Sequence, residues 1–410
     1  MTDSRMLGRR LPKEPDTGQQ NDTEHVGDHG NGIELPTLTR VSLKNYRSIA
    51  GCVVDLKPLT LLVGPNGAGK SNFIDGVKFA SDSLRNTLEH ALRERGGINE
   101  VRRRSRGHPT HFGIRLELQV DPDTTAIYSF QIDARRGGGF EVRREECRLR
   151  RGAAPIAHFA VDRGRLMNSS DDRLPESISP DRLFLQIASA RPFFQRVYGL
   201  LSSFGFYNLN LRVIRELQDP NAGDLLQSDG GNLAAVISMM RDRDPGALRR
   251  LEEYLGAVVP GVRGVSARNL GPKETIEIRQ EVAGDRNPWR YLAANVSDGT
   301  LRALGVLAAV LQSGTTPTGI PLVTIEEPEI AIHPGASIRL MDALLEASHS
   351  RQLIVTTHSP DLLDHPRIDV DSILAVEAVS GNSLIAPVDD ATRNAVPARH
   401  RVGSDPVPFP

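Results

Sequence analysis

The feature that most constrains the fold of this chain is Gly64–Ser71, Gly-Pro-Asn-Gly-Ala-Gly-Lys-Ser, which matches the pattern G-x-x-x-x-G-K-[ST]. It follows the apolar run Leu59–Val63 and precedes apolar residues at helical spacing, so it predicts a strand, a phosphate-binding loop and a helix. Glycines let successive backbone N–H groups surround an anion, and the helix N-terminus adds its positive dipole end. The loop residues expected to bind a nucleoside triphosphate are Gly64, Pro65, Asn66, Gly67, Ala68, Gly69, Lys70, Ser71 and Asn72.

Two side chains of this loop have distinct expected roles. Lys70 would reach the β- and γ-phosphates, and the Ser71 hydroxyl would ligate Mg²⁺. Only 6 of the 410 residues are lysine, so composition alone rarely produces the full pattern. The segment therefore predicts a chain that binds ATP with Mg²⁺.

Bulk composition is typical of soluble globular proteins. The 410 residues are 39% hydrophobic and 25% charged, enough for two to three domain-sized units or for one domain with an inserted lobe. The absence of a long uncharged apolar stretch and of an N-terminal signal favours a cytoplasmic location without membrane contact. Cys52 and Cys147 form no C-x-x-C pair, which excludes a disulfide framework and a structural zinc site.

Charge gives no general attraction to nucleic acid, because the formal net charge is −1. Two local runs are arginine-rich: Arg93–Arg106 has six arginines against two acids, and Arg135–Arg151 has seven against three. Each run fits either an ordinary solvated surface or a contact with DNA or RNA.

Pattern and composition predict five parts along the chain. The first is a polar leader without apolar periodicity, which could not offset the entropy of ordering. The predicted parts are a flexible leader (1–35), an N-terminal ATPase part with an antiparallel β subdomain (36–165), an inserted mainly helical lobe (166–285), a C-terminal ATPase part (286–390) and a tail (391–410).

Local patterns predict the elements within these parts. Apolar residues at helical spacing after the loop predict one long helix that ends near Gly96-Gly97. Alternating runs at 112–120, 126–132 and 140–149 predict antiparallel strands, and strand–helix alternation after residue 322 predicts a mainly parallel sheet. No heptad repeat persists in the middle of the chain, so the inserted lobe is expected to be compact and without coiled-coil arms.

Acidic and histidine side chains follow two of the predicted parallel strands. Glu326 and Glu327 come directly after the apolar run Pro321–Ile325, which suits one carboxylate for the Mg²⁺ shell and one for polarising an attacking water. His358 ends the next apolar strand, 31 positions after Glu327. Ligands bind at the carboxyl ends of strands in such sheets, so His358 is expected near the γ-phosphate.

A second anion site is predicted upstream of these carboxylates. Val296–Thr300 is a Ser/Asp/Gly turn before apolar residues at helical spacing, so Ser297 would cap a helix whose first N–H groups remain free. Such a helix start is by itself common. Its combination with the phosphate loop, the two carboxylates and the terminal histidine is more specific.

Together these features resemble the head domain of ABC-type ATPases. On that resemblance, Gly64–Ser71 looks like the Walker A loop, Glu326 like the Walker B acid and Glu327 like the catalytic glutamate. Ser297–Thr300 is similar to the signature motif, and His358 to the switch histidine. In that family the capped helix of one subunit completes the phosphate site of another, so the resemblance implies a homodimer formed on ATP binding.

Within that family the chain resembles the SMC-like, RecF-like group often labelled AAA_21, over about residues 38–365. Shared features are Asn45–Ser48 before the loop, Asp229–Leu233 in the insert, and Glu327-Pro328-Glu329 with His333-Pro334. Glu329–His333 looks like the D-loop region. The signature departs from the transporter form, and Glu326 stands where many relatives have Asp. The resemblance implies Lys70, Glu327 and His358 as catalytic residues, Ser71 and Glu326 as Mg²⁺ ligands, and further ATP contacts from Arg47, Ser297, Asp298 and Gly299.

The glutamine loop of such ATPases has no clear counterpart in the sequence. Gln186, in Leu185-Gln186-Ile187, is one candidate, and it equally fits an exposed helical residue.

The resemblance implies an ATP-hydrolysing enzyme that acts in DNA repair or maintenance or in phage defence, with DNA as a candidate partner. The alternative is an ATP-dependent switch that controls a co-encoded protein effector, a toxin or a nuclease, without binding nucleic acid. A transporter motor is disfavoured because this chain has a large insert and a signature unlike the transporter form. A metabolic kinase is disfavoured because it would leave the Ser297 turn and His358 unexplained.

Overall fold

The computed structural model describes residues 37–105, 109–135, 137–221, 223–313 and 319–388. The predicted leader and tail lie outside these ranges, as do Arg106 and Arg136. Among the described residues, no helix combines the length and the apolarity needed to cross a lipid bilayer.

The first sheet is mainly parallel, as predicted. Four of its five strand pairings are parallel, and only the edge pairing of its last two strands in the sequence is antiparallel. In spatial order its strands are β16 (Asn382–Pro387), β15 (Ile373–Val379), β3 (Leu59–Val63), β14 (Gln352–Thr357), β13 (Leu322–Glu326) and β9 (Gly205–Tyr207).

The central strands of this sheet are buried on both faces. Leu62 of β3 and Ile354 of β14 contribute to one hydrophobic core, whereas their neighbours Leu61 and Val355 contribute to a second core on the opposite face. This arrangement explains why these strands are nearly continuous apolar runs in the sequence. It also aligns the carboxyl ends of β3, β14 and β13 at one edge.

The second sheet is antiparallel throughout, which confirms the predicted antiparallel part of the fold. In spatial order its strands are β2 (Ile49–Asp55), β1 (Thr37–Tyr46), β4 (His111–Asp121), β5 (Thr124–Ala134), β6 (Phe140–Arg151), β7 (Ala154–Asp162) and β8 (Arg165–Ser169). Alternation along β4 buries Ile114 and Leu116 and leaves Arg115 and Glu117 partly exposed, so one face packs on the core and the other faces solvent.

The third sheet and most helices cover the remaining faces. The sheet contains β10 (Val262–Leu270), β11 (Lys273–Gln280) and β12 (Trp289–Leu292). The helices are α1 (Lys70–Arg85), α2 (Leu88–Arg93), α3 (Ile98–Val101), α4 (Leu185–Ala188), α5 (Pro192–Ser202), α6 (Leu211–Arg215), α7 (Leu233–Arg243), α8 (Pro245–Val258), α9 (Asp298–Leu311), α10 (Pro334–Ala347) and α11 (Pro360–Leu363).

The prediction of a single long helix after the phosphate loop is wrong. α1 ends at Arg85, and α2 begins after Thr87, whose hydroxyl accepts a hydrogen bond from the His90 N–H at 3.1 Å. A threonine that caps a new helix competes with continuation of the old one. The apolar spacing continues across the break because both helices pack on the same core. Strands β7 to β10, β12, β15 and β16 were not predicted.

Candidate nucleotide site

The phosphate loop connects β3 to α1 in a conformation that only glycine adopts easily. Gly67 has φ +79° and Gly69 has φ +110°, both in the left-handed region. A Cβ on Gly69 would lie 2.0 Å from Oγ of Ser383. The last loop glycine is therefore fixed by its backbone conformation and by its close contact with β16.

Lys70 is the first residue of α1, and the residue is 5% exposed. Its Nζ donates to the carbonyl oxygens of Gly64 (2.7 Å) and Pro65 (3.2 Å). These are neutral acceptors within the loop itself, and phosphate oxygens would form stronger, charge-assisted bonds. The ammonium group thus lies at the place where the loop pattern predicts a phosphate contact.

Ser71 and Glu326 meet although 255 positions separate them. The Ser71 hydroxyl donates to Oε2 of Glu326 at 2.5 Å, because β13 ends beside the first turn of α1. A hydroxyl and one carboxylate fit Mg²⁺, which keeps several waters and takes further oxygens from phosphate groups. Within the described ranges, no cluster of three or more His, Cys, Asp or Glu side chains offers an all-protein metal site instead.

A cavity of about 320 Å³ opens beside this pair. Its lining includes Arg47, Ser71, Asn72 and Glu326, four of the residues predicted from the sequence. Arg47 is held by an ion pair of 2.7 Å between its Nε and Oδ2 of Asp75. The structure therefore brings Arg47, Asn72 and the predicted Mg²⁺-binding pair Ser71 and Glu326 to one cleft.

Asn72 belongs to a polar cluster that joins three parts of the chain. Its Nδ2 donates to Oγ of Ser48 at 2.6 Å, and that hydroxyl lies 2.7 Å from Oγ of Ser383. Ser48 follows β1 and Ser383 lies in β16, so both sheets support the start of α1.

Glu327 emerges from β13 with a left-handed backbone, φ +46°. Its N–H donates to the carbonyl oxygen (3.0 Å) and hydroxyl (3.2 Å) of Thr356 on the neighbouring strand β14. A non-glycine residue in this region is uncommon and is kept there by its surroundings. These bonds fix the backbone of Glu327 against the end of β14.

His358 lies where the sequence places it relative to Glu327. Its Nδ1 is 3.7 Å from Oε1 of Glu327 and 3.7 Å from Oε1 of Glu329. His358 is thus beside the candidate catalytic carboxylate and a second, buried one. The role of Glu329 in this arrangement was not predicted.

Arg302 is a site residue that sequence reasoning missed. It lies in α9, is 5% exposed, and donates to the carbonyl oxygens of Leu209 (2.8 Å), Glu326 (3.1 Å) and Glu327 (2.8 Å). Burial lowers the pKa of Arg302, and the carboxylates of nearby glutamates oppose that shift. An arginine inside the apolar run 301–311 was the available signal, since a buried guanidinium requires partners.

The start of α9 has the predicted cap. Oγ of Ser297 accepts from the N–H of Thr300 at 3.2 Å, and the Asp298 carboxylate pairs with Arg215. A Cβ on Gly299 would lie 2.4 Å from the carbonyl oxygen of Ala331. Among the described residues that line the 320 Å³ cavity, neither this turn nor Lys70, Glu327 and His358 is included.

Gln186 does not lie at the nucleotide cleft. Its Nε2 donates to the carbonyl oxygens of Ser83, Leu84 and Asn86, at the C-terminal end of α1. A 16-residue helix is about 24 Å long, so Gln186 lies far from the loop at the other end. At the carboxyl end of β9, Asn208 instead lines the cleft with Ser71 and Glu326, and β9 is too short for its pattern to have shown this.

The first arginine run is largely structural. Arg95 pairs with Asp75 (2.8 Å) and Asp82 (2.9 Å), and its side chain is 6% exposed. Arg103 donates to Oδ1 of Asn382 at 2.6 Å. These guanidinium groups join α1, α2 and β16 and do not form an open basic patch.

The second arginine run lies along β6. Arg144 and Arg148 are exposed on the solvent face, and both pair with the buried carboxylate of Glu146, at 2.7 and 2.9 Å. Arg150 is exposed further along the same strand. This run leaves basic groups on the open face of the antiparallel sheet.

The two cysteines are free, as expected from their spacing. Burial raises the pKa of Cys52 to about 12 and holds that of Cys147 well above its ordinary value. A thiol, and not the reactive thiolate, is therefore the form present at neutral pH.

Comparison with known families identifies the group to which the chain belongs. Residues 59–364 match the model of the AAA_21 family, described as "AAA domain, putative AbiEii toxin, Type IV TA system". This match covers well over half of the chain. The protein is therefore a member of the AAA_21 family of P-loop ATPases, and the resemblance found in the sequence is confirmed.

Individual relatives agree with this assignment. The OLD nuclease of Thermus scotoductus is 23% identical over 350 residues, which are 81% of this chain and 61% of that protein. The chromosome partition protein Smc of Methanocaldococcus jannaschii is 44% identical over 46 residues, 11% of this chain and 4% of that protein. The chain thus spans less than two thirds of the length of both relatives.

A solved structure shows the same fold. The SMC head bound to the C-winged helix domain of ScpA has a TM-score of 0.56 and 14% identity, over 86% of this chain and 99% of that chain. The predicted fold class, a P-loop ATPase head with parallel and antiparallel sheets, is confirmed.

Proposed function

We propose that this member of the AAA_21 family is an ATPase that binds ATP with Mg²⁺ and hydrolyses it at a site shared between two copies of the chain. The observation that carries the proposal is the meeting of two pairs at one sheet edge. Ser71 contacts Glu326 beside the phosphate loop, and Glu327 lies beside His358 at the ends of β13 and β14.

The residues at this sheet edge support an in-line displacement by water. Ser71 and Glu326 would hold Mg²⁺, which neutralises charge on the β- and γ-phosphates when bound. Lys70 would exchange its carbonyl contacts for phosphate oxygens, and Glu327 would orient water and accept its proton. His358 would contact the γ-phosphate from the neighbouring strand end.

A dimer is proposed because the start of α9 offers free N–H groups, and the resemblance to ABC-type heads implies that such a turn completes the site of a second copy. Ser297 uses its hydroxyl for the cap, whereas the first N–H groups of the helix remain without intrahelical partners. Such a helix start favours an anion. We infer that Ser297, Asp298 and Gly299 face the γ-phosphate bound by a second copy, and that ATP occupancy joins the two.

Glu327→Gln tests hydrolysis and dimerisation together. The amide keeps the size of the side chain and removes the proton acceptor, so we expect ATPase activity to fall about 100-fold or more while ATP still binds. Dimers should then accumulate with ATP and Mg²⁺ in light scattering after gel filtration. Lys70→Ala is the control that should neither bind ATP nor dimerise. Hydrolysis by Glu327→Gln at the wild-type rate, or monomers only, would contradict the proposal.

The biological role proposed first is DNA repair or maintenance, or phage defence. Similarity to an OLD nuclease and to an Smc protein supports it, as do the exposed arginines of β6. Titration of duplex and single-stranded DNA with and without ATP tests it, since phosphate contacts give binding that weakens with salt. Charge reversal at Arg148 and Arg150 should weaken such binding.

The second proposed role is a switch that holds or releases a co-encoded effector according to ATP occupancy. Two observations favour it: the family description includes a toxin–antitoxin system, and the first arginine run forms internal ion pairs. Pull-down of co-encoded proteins with the Glu327→Gln variant and ATP tests this role. A cytoplasmic location stays a prediction from the sequence.

A further inference from the structure

We propose that Glu329 is a positioning residue that fixes His358 for the reaction at the nucleotide cleft, acting through Thr357 and the His358 backbone. The inference rests on the proposed ATPase function and deepens it. Glu329 lies two residues after the candidate catalytic Glu327 and is 7% exposed. No contact with a phosphate or metal is assigned to it.

The contacts of one carboxylate oxygen carry this inference. Oε1 of Glu329 accepts from the Thr357 hydroxyl at 2.7 Å and from the His358 N–H at 3.3 Å. The same Thr357 hydroxyl accepts from the N–H of Ser359 at 3.0 Å. Glu329 therefore holds the backbone on both sides of His358 at the point where β14 ends.

The imidazole itself lies between two carboxylates. Nδ1 of His358 is 3.7 Å from Oε1 of Glu327 and equally far from Oε1 of Glu329. Glu327 is the more exposed of the two, 27% against 7% for the side chains, and must meet water during hydrolysis. Glu329 supplies a second, buried carboxylate at the same ring nitrogen, so the ring keeps one fixed neighbour when Glu327 moves.

Burying the carboxylate of Glu329 costs free energy that some favourable interaction or function must offset. Oε2 of Glu329 has no hydrogen-bond partner among the described residues, and leaving such an atom buried costs free energy. The positive charge of Arg302 compensates the negative charge of this carboxylate. Burial lowers the pKa of Arg302, and among the nearby glutamates Glu329 opposes that shift most. A threonine at position 329 could accept a hydrogen bond from Thr357 without burying a charge. The presence of a carboxylate there therefore points to a role at the site.

Glu329 also begins the turn that contacts the start of α9. The carbonyl oxygen of Ala331, two residues on, lies against Gly299. Glu329 thus connects the His358 segment to the turn expected to face a second copy. A displacement of the turn that contains Ala331 would therefore move His358 through the side chain of Glu329 alone.

The test is a double-mutant cycle between Glu329 and His358 in the full chain. We expect Glu329→Ala to lower kcat about 10- to 100-fold while the Kd for a fluorescent ATP analogue changes less than about 3-fold. Once His358 is replaced by Ala, Glu329→Ala should lower kcat no further, because both changes remove one function. Glu329→Gln keeps an acceptor for Thr357 and the His358 N–H, so it should lose less than Glu329→Ala.

Two further variants guard against a purely structural effect. Thr357→Val removes the bridging hydroxyl at nearly constant volume and should lower kcat in the same direction, even where Glu329→Ala does not fold. Glu277→Ala is the matched control, since Glu277 is a buried carboxylate held by Arg268 and Arg290 in the third sheet. Glu277→Ala should leave both the kcat for ATP hydrolysis and the Kd for the ATP analogue at their wild-type values.

The outcomes separate the inference from the proposed function. Wild-type protein without ATPase activity overturns the proposed function. Full activity of a folded Glu329→Ala or Thr357→Val variant overturns the inference alone, as does an additive effect of Glu329→Ala and His358→Ala.

Discussion

At the residue scale, the phosphate loop shows how one position can be fixed by two independent requirements. Gly69 needs a left-handed backbone and also leaves room for Ser383 of β16. The first requirement is local and can be anticipated from the loop pattern. The second depends on a strand 313 positions further along the chain, and no local pattern shows it.

Gly69→Ala tests this double constraint. The methyl group would occupy a disfavoured φ and clash with Ser383, so we expect a loss of about 2 kcal/mol or more in the free energy of unfolding. ATP binding should be lost with it. Gly51→Ala, at a position with nothing within 4 Å of the added carbon, is the control and should stay within about 0.5 kcal/mol. Equal melting temperatures for the two variants would contradict the prediction.

At the element scale, Glu145 joins the antiparallel sheet to the inserted helices. It lies in β6, and its carboxylate accepts from the N–H groups of Phe184 (2.5 Å) and Leu185 (2.8 Å) and from the Tyr128 hydroxyl (3.0 Å). Burial raises its pKa from 4.5 to about 7, although these three hydrogen bonds oppose the shift. The connection therefore depends on pH.

The sign of that dependence follows from proton linkage. Between pH 4.5 and 7 the folded state binds more protons than the unfolded state, so the contribution is complete below pH 4.5 and is lost as pH rises through 7. Between pH 5.5 and 8 we expect wild-type protein to lose about 2 kcal/mol that Glu145→Gln does not lose. Melting temperatures of both proteins across this range measure the difference, and parallel curves would refute the prediction.

The elements also show what the sequence could and could not predict. β3, β13 and β14 are apolar runs that end in candidate site residues, so the positions of the phosphate loop, Glu326, Glu327 and His358 at strand ends could be predicted from local pattern, whereas their roles are implied by the family resemblance. Arg302 acts through contacts made only after folding. The interruption between α1 and α2 depends on one capping threonine inside a continuous apolar spacing.

At the scale of the whole molecule, the two predicted anion sites differ in what surrounds them. Ser71 and Asn72 of the phosphate loop line a cleft with Glu326, the other candidate Mg²⁺ ligand, whereas the Ser297 turn packs against the turn that contains Ala331. A symmetric dimer would bring the turn of one copy to the loop of the other, since an isologous interface repeats each contact twice. The sequence resemblance implied this arrangement, and a single chain cannot display it.

Mixing two inactive variants tests the shared site directly. Lys70→Ala removes the phosphate loop contact, and Ser297→Arg blocks the start of α9, so each variant alone should lack ATPase activity. Neither variant should pair with itself, because Lys70→Ala binds no ATP and Ser297→Arg blocks both shared sites. A mixed dimer has one site with an intact loop and an intact turn, so activity should return to at most about half of the wild-type value per chain, measured as phosphate release. If both motifs served the same chain, mixing would restore none, and the shared site would have to be abandoned.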